Sequence, residues 1–373
     1  MTTHTARIAI VGGGLAGLYA AHALEHQGIR DYRLLEARDV WGGRIASTSS
    51  PGAASALERF DLGPTWFWPD YQPQLDRLVE SLGLARFAQH EAGAMMVEPR
   101  PDAAPMRTPG YSSGAPSMRL LGGMSSLIDA LRQPLARDKL MLNQRVRRLR
   151  CAGAHVELDV EPALGAGATY RVDHVLLALP PRLAAAIDLS PALPEALLRA
   201  WRNTATWMAP HAKYLALYDE PFWRHQGLSG EARSARGPLV EIHDASMPGA
   251  GAALFGFFGV PAAVRKGVPE DVLRAHCRAQ FARLFGERAA SPAADVIKDW
   301  AADPWTATPA DQDGPGQHGV APPCSVPEGP WRSRLTGIAS EWSPRFPGYV
   351  AGAVEAAALG VKALVALVAS RSE

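Results

Sequence analysis

Residues 7–17 read Arg7-Ile8-Ala9-Ile10-Val11-Gly12-Gly13-Gly14-Leu15-Ala16-Gly17, and their reading decides the fold. The compact apolar run over 7–11, stopped by glycines, predicts a short buried strand. Residues 15–27 are rich in helix formers, and Gly28 stands where such a helix would end. Between the two, Gly12, Gly14 and Gly17 make a G-x-G-x-x-G pattern. In a dinucleotide-binding turn the first glycine permits the tight turn, the second lets a pyrophosphate approach the backbone, and the third lets helix and strand pack closely. The free N–H groups and positive dipole end of the helix then meet the phosphates. Glycines also gather in ordinary turns, so the pattern alone is weak. Its context is stronger: Tyr32 to Leu35 predicts a second strand, and Glu36 follows 19 residues after Gly17. A carboxylate placed there receives hydrogen bonds from a ribose diol. Residues 7–36 therefore predict a βαβ unit with a right-handed crossover.

Outward from this unit, residues 72–82 predict a helix with Pro73 in its first turn and Leu75, Leu78, Val79 and Leu82 on one face. Strands are predicted at 156–160, 174–179, 213–218 and 253–258, and a helix at 269–285 with Gly286 after its end. Residues 99–116, with five prolines, read as an exposed excursion, and 302–330 as a long irregular loop. The length of 373 residues suits two to three domains. With 47% hydrophobic and 20% charged residues the chain can bury a sizeable core. The 38 basic and 37 acidic residues leave a formal charge of +1, which gives no support for a nucleic-acid partner. Cys151, Cys277 and Cys324 are widely spaced and form neither a disulfide framework nor a metal ribbon, so no metal is expected. The N-terminal apolar stretch lacks a secretory pattern, and Glu355 and Lys362 interrupt the apolar stretch over 349–370. The expectation is a cytoplasmic enzyme without a membrane partner.

Leu35-Glu36-Ala37-Arg38-Asp39-Val40-Trp41-Gly42-Gly43-Arg44 continues directly from the ribose carboxylate. Its paired glycines let backbone N–H groups approach an anion, and Arg44 adds charge. Here the chain resembles the flavin-containing amine oxidase family. Further similar stretches are Asp61-Leu62-Gly63-Pro64-Thr65-Trp66, Gly122-Gly123-Met124, Tyr218-Asp219-Glu220-Pro221-Phe222-Trp223 and Pro347-Gly348-Tyr349-Val350. The resemblance implies FAD, bound non-covalently. It places the phosphates and ribose on Gly12, Gly14, Leu15, Ala16, Gly17, Glu36, Ala37, Arg38, Gly43 and Arg44. It puts Gly63, Pro64, Thr65 and Trp66 beside the isoalloxazine and Val146 at the adenine. It adds Trp300, Glu341, Gly348, Tyr349 and Val350 to the cofactor contacts. Lys213, seven residues before Glu220, matches the family's flavin-facing lysine. By its surroundings alone, a lysine in an apolar strand reads as an edge or snorkelling residue.

Tyr349 resembles one wall of the family's aromatic slot. The second wall falls on Ala310, so the cage is either incomplete or rebuilt from Trp305, Trp342 or Phe346; Trp66, Trp305 and Trp342 are the substrate-pocket residues expected. The tryptophans at 66, 68, 207 and 223 also suit a cavity for an apolar ligand, or a core. Pro309 stands where some relatives link the flavin through cysteine, which favours non-covalent FAD. The insertion after Leu84 is shorter than in familiar members, so part of the substrate cover is expected to be missing or supplied by another subunit.

The fold expected is a two-domain α/β oxidoreductase. Residues 1–86, 117–205 and 301–373 form the FAD domain, and 87–116 with 206–300 an inserted sheet-plus-helix substrate domain. The activity implied is amine oxidation: hydride passes from the amine α-carbon to flavin N5, the imine hydrolyses, and O2 reoxidises the flavin to give H2O2. Lys213 and Tyr349 carry the catalytic assignments. Two other readings stay open: a desaturase-like or renalase-like enzyme acting on a non-amine, and a non-catalytic FAD-binding subunit. A homo-oligomer is also left open.

Overall fold

The computed structural model describes residues 2–53, 55–110, 114–312 and 319–370. Parts of the 99–116 and 302–330 segments, namely 111–113 and 313–318, lie outside the described residues. The opening strand, Ile8–Val11, is buried along its whole length, as a strand covered on both faces must be. It sits in a parallel five-stranded sheet with the order 140–141, 32–35, 8–11, 174–177, 335–337. The helix Leu15–His26 follows it and ends before Gly28, whose φ is +74°. Small residues line its buried face, and the closing helix Val350–Ser370 packs against that face with Ala353, Val354 and Ala357.

That closing helix is long and apolar enough to cross a membrane, and half of its most apolar window is buried inside the fold. Glu355, one of the charges that interrupts it, accepts hydrogen bonds from Ser343 and Arg345. A second five-stranded sheet, of mixed direction, has the order 2–5, 168–172, 155–162, 144–152, 188–190.

The third sheet has seven strands in the order 294–299, 212–218, 252–258, 239–244, 228–234, 94–98, 106–109. The helix Glu270–Phe285 covers one face, where Leu273, Phe281 and Phe285 meet Tyr214, Ala216 and Leu254. The opposite face carries Leu215, Leu217 and Phe255 against Phe60. This alternation is the period of two that a strand imposes. Lys213 belongs to the second set, and its strand, Ala212–Tyr218, is internal to the sheet and buried throughout. It is neither an edge residue nor a snorkelling one.

The 99–116 segment is less of an excursion than its prolines suggest. Met106–Pro109 pairs with Ala94–Val97 and forms the sheet's outer strand. The loop over 302–330 includes a short helix, Pro309–Gln312, where Asp311 accepts from Thr308. A two-domain α/β architecture is thus built from one parallel sheet, one mixed sheet and one large, mostly antiparallel sheet.

Candidate active site

Gly12 has φ +111°, and a Cβ there would meet the Ala178 carbonyl oxygen at 2.6 Å. Gly14 caps the helix without a side-chain hydrogen bond, so the first-turn N–H groups stay available to an anion. Gly17 does not face the cavity; its Cα lies against strand backbone, where a Cβ would fall 1.9 Å from Gly12 O. The Gly42–Gly43 turn joins this site through an isolated bridge between Gly14 and Gly42. Glu36 accepts from Gly13 N at 2.6 Å and Arg38 N at 2.8 Å. Burial pushes its carboxyl upward against those bonds. Arg38 forks onto Asp303 at 2.8 and 2.9 Å, and Arg44 grips Glu341 at 2.5 and 3.0 Å.

From these glycines a cavity of about 710 Å³ runs to the large sheet. Its far end is lined by Thr65, Trp66, Trp68, Trp207, Met208, His211, Lys213, Phe257 and Tyr349. Lys213 Nζ donates to Asp61 O at 3.2 Å, Gly63 O at 2.8 Å and Thr65 Oγ1 at 2.8 Å. It also lies 4.2 Å from the Phe255 ring centre and 5.6 Å from that of Phe257. Burial pushes the ammonium well below the ordinary lysine range, and the Asp61 carboxylate pulls it back. Trp66 donates Nε1 to Gln89 and stands edge-on to His243. Trp300 braces the same segment through Nε1 to Leu62 O at 3.2 Å.

Most residues picked out from sequence face this one cavity: Gly12, Gly14, Leu15, Ala16, Glu36, Ala37, Arg38, Gly43, Arg44, Gly63, Pro64, Thr65, Trp66, Val146, Lys213, Trp300, Gly348, Tyr349 and Val350. Three do not. Gly17 serves packing, and Glu341 braces Arg44 from behind. Trp342 is a correction: its ring is buried against Trp201 and over Gly337, in the core and off the cavity lining. Trp305 also needs correcting as a partner for Tyr349. It lines the cavity, but stacks on the Arg145 guanidinium at 5.0 Å, next to Val146. The ring that meets Tyr349 is Trp207, with centres 5.3 Å apart and planes tilted by 46°. Of the other tryptophans, Trp68 lines the cavity, whereas Trp223 is buried and donates to Asp244. Met208, His211 and Phe257 escaped the sequence reading. Phe257 is directly opposite Lys213 in the sheet register, which no local pattern reveals.

Comparison with known proteins fits this geometry. Residues 86–364 match the family profile of the flavin containing amine oxidoreductases, and residues 10–82 match an NAD(P)-binding Rossmann-like domain. The chain belongs to the flavin-containing amine oxidoreductase family. Within that family it is 24% identical to a putrescine oxidase of Kocuria rosea, over 90% of each chain. It is 32% identical to a probable flavin-containing monoamine oxidase A of Dictyostelium discoideum, over 50% of this chain and 40% of that protein. Its fold superposes on a putrescine oxidase variant with TM-score 0.81 at 20% identity, covering 98% of this chain and all of that one. It superposes on the cyclohexylamine oxidase of Brevibacterium oxydans with TM-score 0.79 at 19% identity, over 97% and 99% of the two chains.

The flavin of this oxidoreductase family suits the cavity. Gly12, Gly14, Gly42 and Gly43 line it with bare backbone, and the helix that opens at Leu15 beside them has no side-chain cap on its first-turn N–H groups. A buried carboxylate at Glu36 stands next to both. No cysteine lines the cavity among the described residues, and Cys324 is exposed elsewhere. The FAD is held non-covalently.

Proposed function

We propose that this protein catalyses FAD-dependent oxidation of a monoamine carrying an apolar or aromatic group, with O2 as acceptor. The observation that carries the reading is the composition of the cavity's far end. Trp66, Trp68, Trp207, Met208, Phe257 and Tyr349 line the same cavity as Lys213. Among the described residues, the carboxylates that line the cavity are Glu36, Asp159 and Asp188. Glu36 is bonded to Gly13, while Asp159 and Asp188 engage Arg150 and Arg148 on the sheet that carries Val146. None of them stands among the rings to receive the second ammonium of a diamine. Arg44 is already committed to Glu341, so it does not offer a free fork to an amino-acid carboxylate.

The chain's own residues position and desolvate. Glycines and the helix N-terminus hold the diphosphate, and Glu36 the ribose. Trp207 and Tyr349 confine the substrate, and the apolar lining favours the neutral amine over its ammonium, because an unpaired buried charge is costly. The bound flavin supplies the hydride acceptor, and dioxygen takes the electrons on as hydrogen peroxide. We assign residues 1–86, 117–205 and 301–373 to cofactor binding and 87–116 with 206–300 to substrate binding. The two five-stranded sheets draw their strands from the first set and the seven-stranded sheet from the second, which supports this division.

The test is an anaerobic titration of reconstituted protein with benzylamine, cyclohexylamine, putrescine and an L-amino acid. Benzylamine or cyclohexylamine is expected to bleach the flavin band at lower concentration than putrescine. Bleaching by putrescine alone would overturn the substrate class. Bleaching by a dihydronicotinamide but by no amine would favour the dehydrogenase reading. Trp207→Ala is expected to keep its flavin yet raise KM for the preferred amine about tenfold, since a lost ring contact of ~1–1.5 kcal/mol corresponds to that factor. An unchanged KM would remove Trp207 from the substrate wall.

A further inference from the structure

We infer that Asp61 is a positioning residue: its carboxylate is the counter-charge that keeps Lys213 an ammonium at the far end of the cavity. A neutral amine has two N–H donors, whereas an ammonium has three. Lys213 Nζ faces three oxygens within hydrogen-bond reach: two carbonyls that can only accept, and the Thr65 hydroxyl, which accepts from an ammonium but can also donate to a neutral amine, so the charge has to be fixed by its surroundings. The Phe255 face, 4.2 Å away, also favours a cation. Lys213 is only 2% exposed, so the charge needs a compensating partner within the protein.

Asp61 supplies one. It ends the strand Arg59–Asp61, is 4% exposed, and its own carbonyl is among the three acceptors of Lys213. Its Oδ1 accepts from Met124 N at 2.8 Å, while Oδ2 is buried with no hydrogen-bond partner. A carboxylate shut away with one oxygen unsatisfied has not been placed for hydrogen bonding alone. The turn before Met124 is shaped around it: a Cβ on Gly123 would come 2.6 Å from Oδ1.

Among the remaining cations, Arg119 shares Asp61 with Lys213, and Arg59 draws on it more weakly. Arg59 is paired with Asp129, and Arg224 with Asp244. Arg119, 1% exposed, gives Nη1 and Nη2 to the carbonyls of Ser246 and Ala245, which hold it without neutralising it. Asp61 therefore faces two buried cations, Lys213 and Arg119. Burial pushes its carboxyl upward, and Lys213 first, then Arg119, draw it back. Arg119 in turn works against the charge on Lys213. The flavin reading matters only to what this charge acts on; the electrostatic coupling lies between residues of the chain itself.

Asp61→Asn is the decisive variant, because the amide oxygen still accepts from Met124 N while the charge is lost. The chain has five lysines, so lysine-selective ¹³C labelling of the flavin-loaded protein gives few resonances, and Lys213→Met identifies the one of interest. In Asp61→Asn the titration midpoint of that resonance is expected to fall by about one pH unit or more. A midpoint that stays within a few tenths overturns the proposal.

A second readout uses urea denaturation of the flavin-loaded protein at neutral pH. Asp61→Asn is expected to lower the unfolding midpoint in the wild-type background and to lower it less in the Lys213→Met background, where Arg119 is the one buried cation that still draws on the charge. An equal drop in both backgrounds would mean that Asp61 only caps Met124. If the single variant does not fold but the double variant does, the coupling between the two residues is present in extreme form. If neither folds, the carboxylate serves the Gly123 turn and the proposal falls. Neither readout depends on amine turnover, so a failed substrate assignment leaves this result intact.

Discussion

Gly17→Ala is expected to give a protein that retains no flavin and is destabilised at or beyond the ~4–5 kcal/mol that marks an exceptional single substitution. A Cβ there would stand 1.9 Å from Gly12 O and 3.1 Å from Gly12 C. Both are backbone atoms, so no side chain can rotate away. Gly12 is itself held by the strand, since its N–H donates to Leu35 O at 2.8 Å. Relief requires the helix Leu15–His26 to lift from the parallel sheet, and its opposite neighbour, the helix Val350–Ser370, packs against it through small residues. Lifting the helix moves the uncapped N–H groups away from the place of the diphosphate, so binding and stability fail together. Gly28→Ala is the control. It lies after the same helix with nothing within 4 Å of where its Cβ would stand, and only its φ of +74° opposes a side chain. Its cost is expected near ~1 kcal/mol with flavin retained. Flavin-to-protein ratio after reconstitution and the urea midpoint check both; a flavin-replete Gly17→Ala would show that the close approach does not govern the site.

What the sequence made legible follows the range of the interactions involved. The βαβ unit rests on neighbours along the chain: an apolar run, three glycines, a helix and a carboxylate at fixed spacing. Its strand Ile8–Val11 and helix Leu15–His26 lie within a residue or two of the bounds those neighbours predict. Rings are harder. Trp342 lies near Gly348 and Tyr349 in sequence, but the short turn Ser340–Trp342 directs it onto Trp201 and into the core. Trp207, distant from Tyr349 along the chain, is the ring that meets it. Glu341 likewise sits in a flavin-like motif, yet its task is fixed by Arg44, 297 residues away. Nothing in the local pattern of these residues separates a ring that faces a cavity from one that faces a core. That distinction is made by strand register and by long-range ion pairs. Lys213 illustrates both sides: its offset from the Glu-Pro-Phe-Trp segment is visible, but its internal place depends on pairing with 252–258 and 294–299.

Lys213→Met is expected to keep the fold, to slow turnover by at least one order of magnitude, and to show a stability loss that shrinks as pH falls. Methionine matches the length of the lysine stem and suits the contact with Phe255 and Phe257, so packing is nearly preserved. What is lost is the triple tie to Asp61 O, Gly63 O and Thr65 Oγ1, which holds the segment next to Trp66 and Trp300 in place. Removing one member of a buried charge pair typically costs ~3–5 kcal/mol, because the other member is left uncompensated. Here that member is Asp61, which keeps Arg119 as a buried cation but loses Lys213, its strongest restraint against the upward push of burial, so the cost is expected at or below the lower end of that range. Without the lysine its folded pKa rises further above the unfolded value. A group with a raised folded pKa contributes stability that is fully present below the unfolded pKa and is lost as pH rises through the folded one. The variant's deficit relative to wild type is therefore expected to be largest at pH 8 and to narrow steadily towards pH 5, as Asp61 takes up a proton. Urea midpoints of both proteins across that range measure it. A deficit independent of pH would mean that the lost hydrogen bonds, and not an orphaned carboxylate, account for the whole cost.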